Sequence, residues 1–184
     1  MANDTGVSHV AAAQWITILE ASYIVYRLKP YYSNIGKRLV KSLKLYFYDV
    51  GLAARLLGIE QPEHVSKHPL RGNLFENLVV MESLKYRYNR VLPENIYFFR
   101  DSKGNEIDLL MLSGGFPFPV EIKSGETLNP DYFKGFTYFD SVFPDSPHRG
   151  KGMLIYGEQR IETRRGIQVT DIETLPRTIG QVLI

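Results

Sequence analysis

Apolar positions along the chain switch between a helical period and an alternating one, and these switches mark out its elements. Near the start, Ala11, Ala12, Trp15, Ile18 and Leu19 recur at helical spacing as far as about Glu20. The preceding Ala2–Ser8 run (Ala-Asn-Asp-Thr-Gly-Val-Ser) reads as the turn of a helix-turn-helix. Gly6 is expected to supply its positive φ and Ser8 to cap the helix. Tyr23 to Leu28 alternates as a strand, Pro30 and Asn34-Ile35-Gly36 interrupt it, and Lys44 to Tyr48 alternates again. Helix, strand, basic turn, strand is the order of a winged helix. A short helix is expected over Gly51 to Ile59, with Leu52, Leu56 and Leu57 on its apolar side. Gln61 to Pro69, with two prolines and two histidines, reads as a linker. The expected organisation is therefore a winged-helix-like segment over 1–60, a linker over 61–69 and a second unit over 70–184.

Leu70 to about Tyr88 is a long helical pattern. Leu74, Phe75, Leu78, Val79, Met81 and Leu84 cover most of its circumference, which predicts a largely buried helix. Glu76, Ser83 and Arg87 share its narrow polar strip, and a carboxylate on such a helix needs a partner, a metal or water at a cleft mouth. Strands follow at Ile96–Arg100, Glu106–Leu112 and Phe118–Lys123, with a turn at Asp101–Asn105 in which Gly104 can take positive φ. Alternation places Ile107, Leu109 and Met111 on one face of the second strand and Asp108 on the other. In the third, Val120 and Ile122 face the core while Glu121 and Lys123 emerge together. Asn129 and Pro130 open a helix with an aromatic face of Tyr132, Phe133, Phe136 and Phe139. Lys151–Tyr156 and Ile167–Thr170 read as strands and Leu175–Ile184 as a closing tail or short helix. The order predicts an α/β (α+β) fold with a mixed central sheet flanked by helices.

Composition narrows the chemistry. The 184 residues are 44% hydrophobic and 23% charged, ordinary globular values. With no cysteine, disulfide scaffolds, zinc-thiolate sites and thiol nucleophiles are excluded. His64 and His68 stand at i and i+4, but the flanking prolines argue against a helix presenting them to a metal. No run approaches the ~18 apolar residues of a membrane span, and the N-terminus lacks a signal-peptide pattern; a cytoplasmic setting is the expectation. The net charge is +2, yet Arg27, Lys29, Lys37, Arg38, Lys41 and Lys44 fall within 21–48 with no acidic residue, leaving −4 for the remainder by difference. Lys37, Arg38, Lys41 and Lys44 are candidates for contact with DNA phosphates. The first helix offers only His9 and Gln14 as base readers and no Arg or Lys, which favours packing against protein over sequence-specific DNA reading for this segment.

An aspartate between apolar neighbours in mid-strand is costly, and Asp108 followed by Glu121-Ile122-Lys123, with Glu76 on the preceding helix, resembles the PD-(D/E)XK nuclease superfamily. The resemblance implies Mg²⁺ held by Asp108 and Glu121, assisted by water and the Ile122 carbonyl. It also implies Glu76 as a water-mediated metal ligand and Lys123 as the group that orients the attacking water or neutralises developing charge. Lys44-Leu-Tyr-Phe-Tyr-Asp-Val-Gly51-Leu52, Gly72-Asn-Leu-Phe-Glu76-Asn-Leu-Val79, Phe99-Arg100-Asp101, Glu106-Ile-Asp108 and Val120-Glu-Ile-Lys123-Ser124 occur in that order. Together they resemble the C-terminal domain of unknown function that follows the ATPase module in bacterial and archaeal predicted AAA+ family proteins. No Gly-x-x-x-x-Gly-Lys-Ser/Thr occurs in this chain, so no nucleotide site is expected in it. With little room for a first helix before the turn, the expectation is a C-terminal fragment of a longer ATP-binding protein.

Three functions stand open at this point. One is a Mg²⁺-dependent DNA endonuclease with Asp108, Glu121, Lys123 and Glu76 as its site. The second is a catalytically inactive effector that binds DNA or protein for an absent ATPase domain. The third reduces Asp108 to a structural carboxylate paired with Lys123.

Overall fold

The computed structural model describes residues 6–32, 42–159 and 161–183. Helix α1 (His9–Ala21) starts where expected, the Ser8 hydroxyl accepting the Ala11 N–H at 3.1 Å. Its end shortens the strand that follows. Tyr23 takes φ +56°, and the N–H groups of Tyr23 and Ile24 bond the carbonyls of Glu20 and Leu19. This is a Schellman closure with tyrosine in the left-handed seat usually given to glycine. Strand β1 is consequently Val25–Leu28, paired antiparallel with β2 (Lys44–Phe47). The Asn34-Ile35-Gly36 turn and the candidates Lys37, Arg38 and Lys41 lie outside the described residues. Helix α2 (Val50–Leu56) is capped by Asp49, which accepts from the N–H groups of Gly51 and Leu52. The stretch read as linker carries a 3-10 helix, Pro62–Lys67.

Helix α3 (Arg71–Tyr88) leads into the main sheet. Its strands are β3 (Ile96–Arg100), β4 (Glu106–Ser113), β5 (Phe116–Lys123), β6 (Gly152–Tyr156), β7 (Glu162–Arg164) and β8 (Ile167–Thr170). They form a six-stranded sheet in the order β3-β4-β5-β6-β8-β7. β3, β4 and β5 are antiparallel neighbours, β5, β6 and β8 are parallel, and β7 lies antiparallel on the edge. The parallel step from β5 to β6 is bridged by a 3-10 turn, Pro130–Phe133, and helix α4 (Lys134–Val142). Helix α5 (Leu175–Leu183) closes the described chain. The fold is thus α+β, a mixed sheet flanked by helices, as the element order implies. β7 escaped the sequence reading because Glu-Thr-Arg offers no apolar alternation.

Val79, Val80, Met81 and Leu84 of α3 and Ile179 of α5 pack against Phe98, Leu109, Met111, Val120 and Ile155 on one face of the sheet. Phe136, Phe139 and Val142 of α4 cover the other face. The first of these cores also takes in Tyr26, Leu28 and Tyr46 of the β1–β2 hairpin. Lys29 and Tyr31 exchange backbone hydrogen bonds with Phe98, so residues before 60 and after 70 share one apolar core.

Strict alternation fails in β4. Tyr97 pairs with Leu110 but Phe99 with Ile107, so β4 carries an extra residue between these pairs. Ile107 packs with Phe99 and Phe139, whereas Leu109 and Met111 face α3. Such a bulge re-aims the side chain it contains, and Asp108 lies inside it.

Candidate active site

The ladder between β4 and β5 runs from Ser113↔Phe116 to Leu109↔Val120. Beyond that pair the Ile122 N–H donates to Asp108 Oδ2 at 3.0 Å. A side chain has taken the place of a backbone acceptor where the strands diverge, and this anchors the carboxylate. Lys123 Nζ donates to the same oxygen at 2.7 Å and lies 3.0 Å from Glu121 Oε2. Glu121 and Lys123 are two apart on β5 and share a face. Asp108, Glu121 and Lys123 therefore converge, and the ion pair of the structural reading is present among them.

Glu121 is drawn under α4 and is 4% exposed. A Cβ built on Gly135 would sit 1.8 Å from Glu121 Oε1, so only glycine lets the helix pass this close. Glu121 Oε1 is buried with no hydrogen-bond partner. Burial, and then the charge of Asp108, push the Glu121 carboxyl up to about 8. Burial acts to raise Asp108 too, but the Lys123 ammonium and the Ile122 N–H hold it below its ordinary value. Burial acts to lower Lys123, and the two carboxylates outweigh it, leaving the ammonium more firmly protonated than usual. The Lys123 ammonium thus lies between one acid held below its ordinary value and one pushed above it. Two carboxyls sharing one cation are driven apart in this way by their mutual repulsion.

Glu76 is held apart from this trio by other partners. Its Oε1 accepts from Lys44 Nζ and from the Tyr46 hydroxyl, each at 2.7 Å. Lys44 also pairs with Glu106, which is bound in turn by Arg100 Nε at 2.7 Å. Lys44, expected on a phosphate-facing wing, thus turns inward, and burial opposed by Glu76 and Glu106 leaves its ammonium above the ordinary value. Tyr46 and Glu106 were missed from sequence. The available signal was spacing: Lys44 and Tyr46 share one face of β2, and Glu106 stands two residues before Asp108.

A cleft of about 310 Å³ joins the two groups, lined by Glu76, Asp108, Lys123, Asn73, Ser124 and Tyr132 among others. Glu121 lies behind its wall. Among the described residues no three His, Asp or Glu side chains converge as a metal-holding set. What fits a hard cation is the pair Asp108 and Glu121, with an unpartnered buried oxygen and no soft donor nearby. His68 of the histidine pair instead accepts the Leu70 N–H through Nδ1 at 3.1 Å. No helix among the described residues is long and apolar enough to cross a membrane.

Comparison with known proteins places this arrangement in a family without assigning it a reaction. Uncharacterized proteins of Mycobacterium tuberculosis and Mycobacterium bovis are each 31% identical over 127 residues, covering 69% of this chain and 28% of the relative. The chain thus spans little more than a quarter of the curated relatives it matches. No solved structure matches it significantly. Residues 1–63 match a domain of unknown function (DUF8612). Residues 71–175, more than half of the chain and the part that holds Asp108, Glu121 and Lys123, match another, and the chain belongs to that family, the domain of unknown function DUF4143.

Proposed function

We propose that this chain is a PD-(D/E)XK-type nuclease module that hydrolyses DNA phosphodiester bonds with Mg²⁺ at Asp108 and Glu121. The observation that carries the reading is the convergence of both carboxylates on Lys123 at a polar cleft, with Glu121 Oε1 left unpartnered. Mg²⁺ bound there would polarise a scissile phosphate and lower the pKa of a bound water. The protein's own part is positional. The Ile122 N–H fixes Asp108, Gly135 admits Glu121 beneath α4, and Lys44 with Tyr46 holds Glu76 on the opposite wall. Lys123 lines the cleft and supplies positive charge to a phosphate entering it. The mycobacterial relatives, matched over 28% of their length, have length to carry an ATPase module, and we take the nuclease unit to work beside one of the AAA+ type in a longer protein.

One observation favours a second reading. Lys123 already bridges both carboxylates, which suits a non-catalytic effector that binds DNA or protein. Incubating supercoiled, linear and branched DNA with the protein and Mg²⁺ or Mn²⁺ decides between them. The nuclease reading expects metal-dependent cutting that falls by about 100-fold or more in Asp108→Ala and Lys123→Ala. Intact DNA with the wild-type chain rejects it. A salt-dependent gel shift without cutting would then mark the DNA-binding effector.

A further inference from the structure

At the opposite end of the β4–β5 hairpin from Asp108 lies a second cavity, of about 520 Å³. It is lined by Arg87 and Arg90 at the end of α3, by Asn95, and by Ser113, Gly114 and Gly115 in the hairpin turn. Arg87 is 6% exposed. Its side chain donates through Nε to the Pro93 carbonyl, and among the described residues it has no carboxylate partner. The acids nearest in sequence are engaged elsewhere, Glu82 with Lys85 at 2.7 Å and Glu94 accepting from the Tyr88 hydroxyl at 2.6 Å and from that of Tyr26 at 3.5 Å. Arg90 lies over the Tyr86 ring at 3.8 Å and likewise lacks an acidic partner. Ion pairs elsewhere in the molecule satisfy the partly buried cations Lys44 and Lys123; the more deeply buried Arg87 has none among the described residues.

A guanidinium taken out of water without a counter-charge is expensive, and its five N–H donors form a planar fork suited to oxyanions. Gly114 and Gly115 both take positive φ, +58° and +86°, and Asn95 and Ser113 add an amide and a hydroxyl. The volume is that of a small-molecule pocket rather than of a flat docking face. We infer that this cavity is a binding site for a small oxyanion ligand, a phosphate- or carboxylate-bearing metabolite whose charged group is gripped by Arg87 and Arg90. The site is separate from the Asp108 cleft and does not depend on the nuclease reading.

Thermal unfolding of the full chain in phosphate, in succinate and in chloride at matched ionic strength tests it, with calorimetric titration for affinity. Phosphate or succinate should raise the midpoint above that in chloride, and whichever acts more strongly identifies the charged group. Arg90→Gln, at an exposed position, should keep the fold and weaken binding about tenfold, as expected from losing one charged hydrogen-bond donor. Arg87→Met should abolish it, and Arg87→Lys should fail to restore it fully because the fork is lost. No midpoint shift with either anion in the wild-type chain overturns the inference. So does a shift that survives unchanged in both Arg90→Gln and Arg87→Met.

Discussion

Asp108 and Glu121 compete for the ammonium of Lys123, and the outcome has a measurable pH signature. Glu121 is pushed up to about 8 when folded, against an ordinary 4.5. A raised carboxyl contributes stability that is present below the ordinary value and lost as pH rises through the folded one. Glu121→Gln keeps the shape of the protonated acid and removes that titration. Urea denaturation of both proteins should therefore show the wild type losing stability relative to Glu121→Gln between pH 4.5 and about 8. A difference that stays constant across this range rules out the protonated Glu121. The Asp101 carboxylate behaves in the opposite sense. Burial acts to raise it, but donors from Asn105, Tyr138 and Lys103 hold it down to about 2, so its contribution persists through neutral pH and disappears only in strong acid.

Two elements are positioned by single residues that touch backbone or pass close to a side chain. Helix α3 clamps the edge of β2 through buried Asn77, which accepts from the Phe47 N–H at 2.8 Å and donates to the Phe47 carbonyl at 2.7 Å. Asn77→Ala leaves both backbone groups without their partner and is expected to cost about 1–3 kcal/mol, read from the shift in denaturation midpoint. Helix α4 is held close to β5 by the absence of a side chain at Gly135. Gly135→Ala should destabilise by about 1–3 kcal/mol through overpacking. The same substitution in an Glu121→Ala background should cost much less, because the colliding carboxylate is gone; equal costs in the two backgrounds would show that Glu121 is not what excludes Cβ.

For the molecule as a whole, the N-terminal hairpin contributes to both the core and the cleft. Tyr26, Leu28 and Tyr46 sit in the main apolar cluster, and Lys44 neutralises Glu76 and Glu106 from the same strand pair. Lys44→Met leaves Glu76 with the Tyr46 hydroxyl alone and Glu106 with Arg100 alone, and is expected to cost about 1–3 kcal/mol, read from the shift in denaturation midpoint. A chain truncated to 61–184 should expose that cluster, and differential scanning calorimetry should find it markedly less stable than the full chain. A fragment as stable as its parent would show that the hairpin is an independent unit.

Periodicity alone located most helices and strands, because burying one face forces apolar residues to repeat every two or about 3.6 positions. It also located Glu121 and Lys123 on a common face, and Ser8 and Asn129 as caps. Where a local pattern carried no record of a distant contact, the reading stopped short. The left-handed Tyr23 has no glycine to announce it, β7 has no apolar face, and the bulge around Asp108 exists only because β3 and β4 pair out of step. The partner of each charge was likewise settled in three dimensions. Lys44 looked like a surface cation in a basic stretch, yet it lies inside between two glutamates 32 and 62 residues away. Residue type and spacing determined which groups could share a face; only tertiary packing decided which were taken out of water, and with which opposite charge.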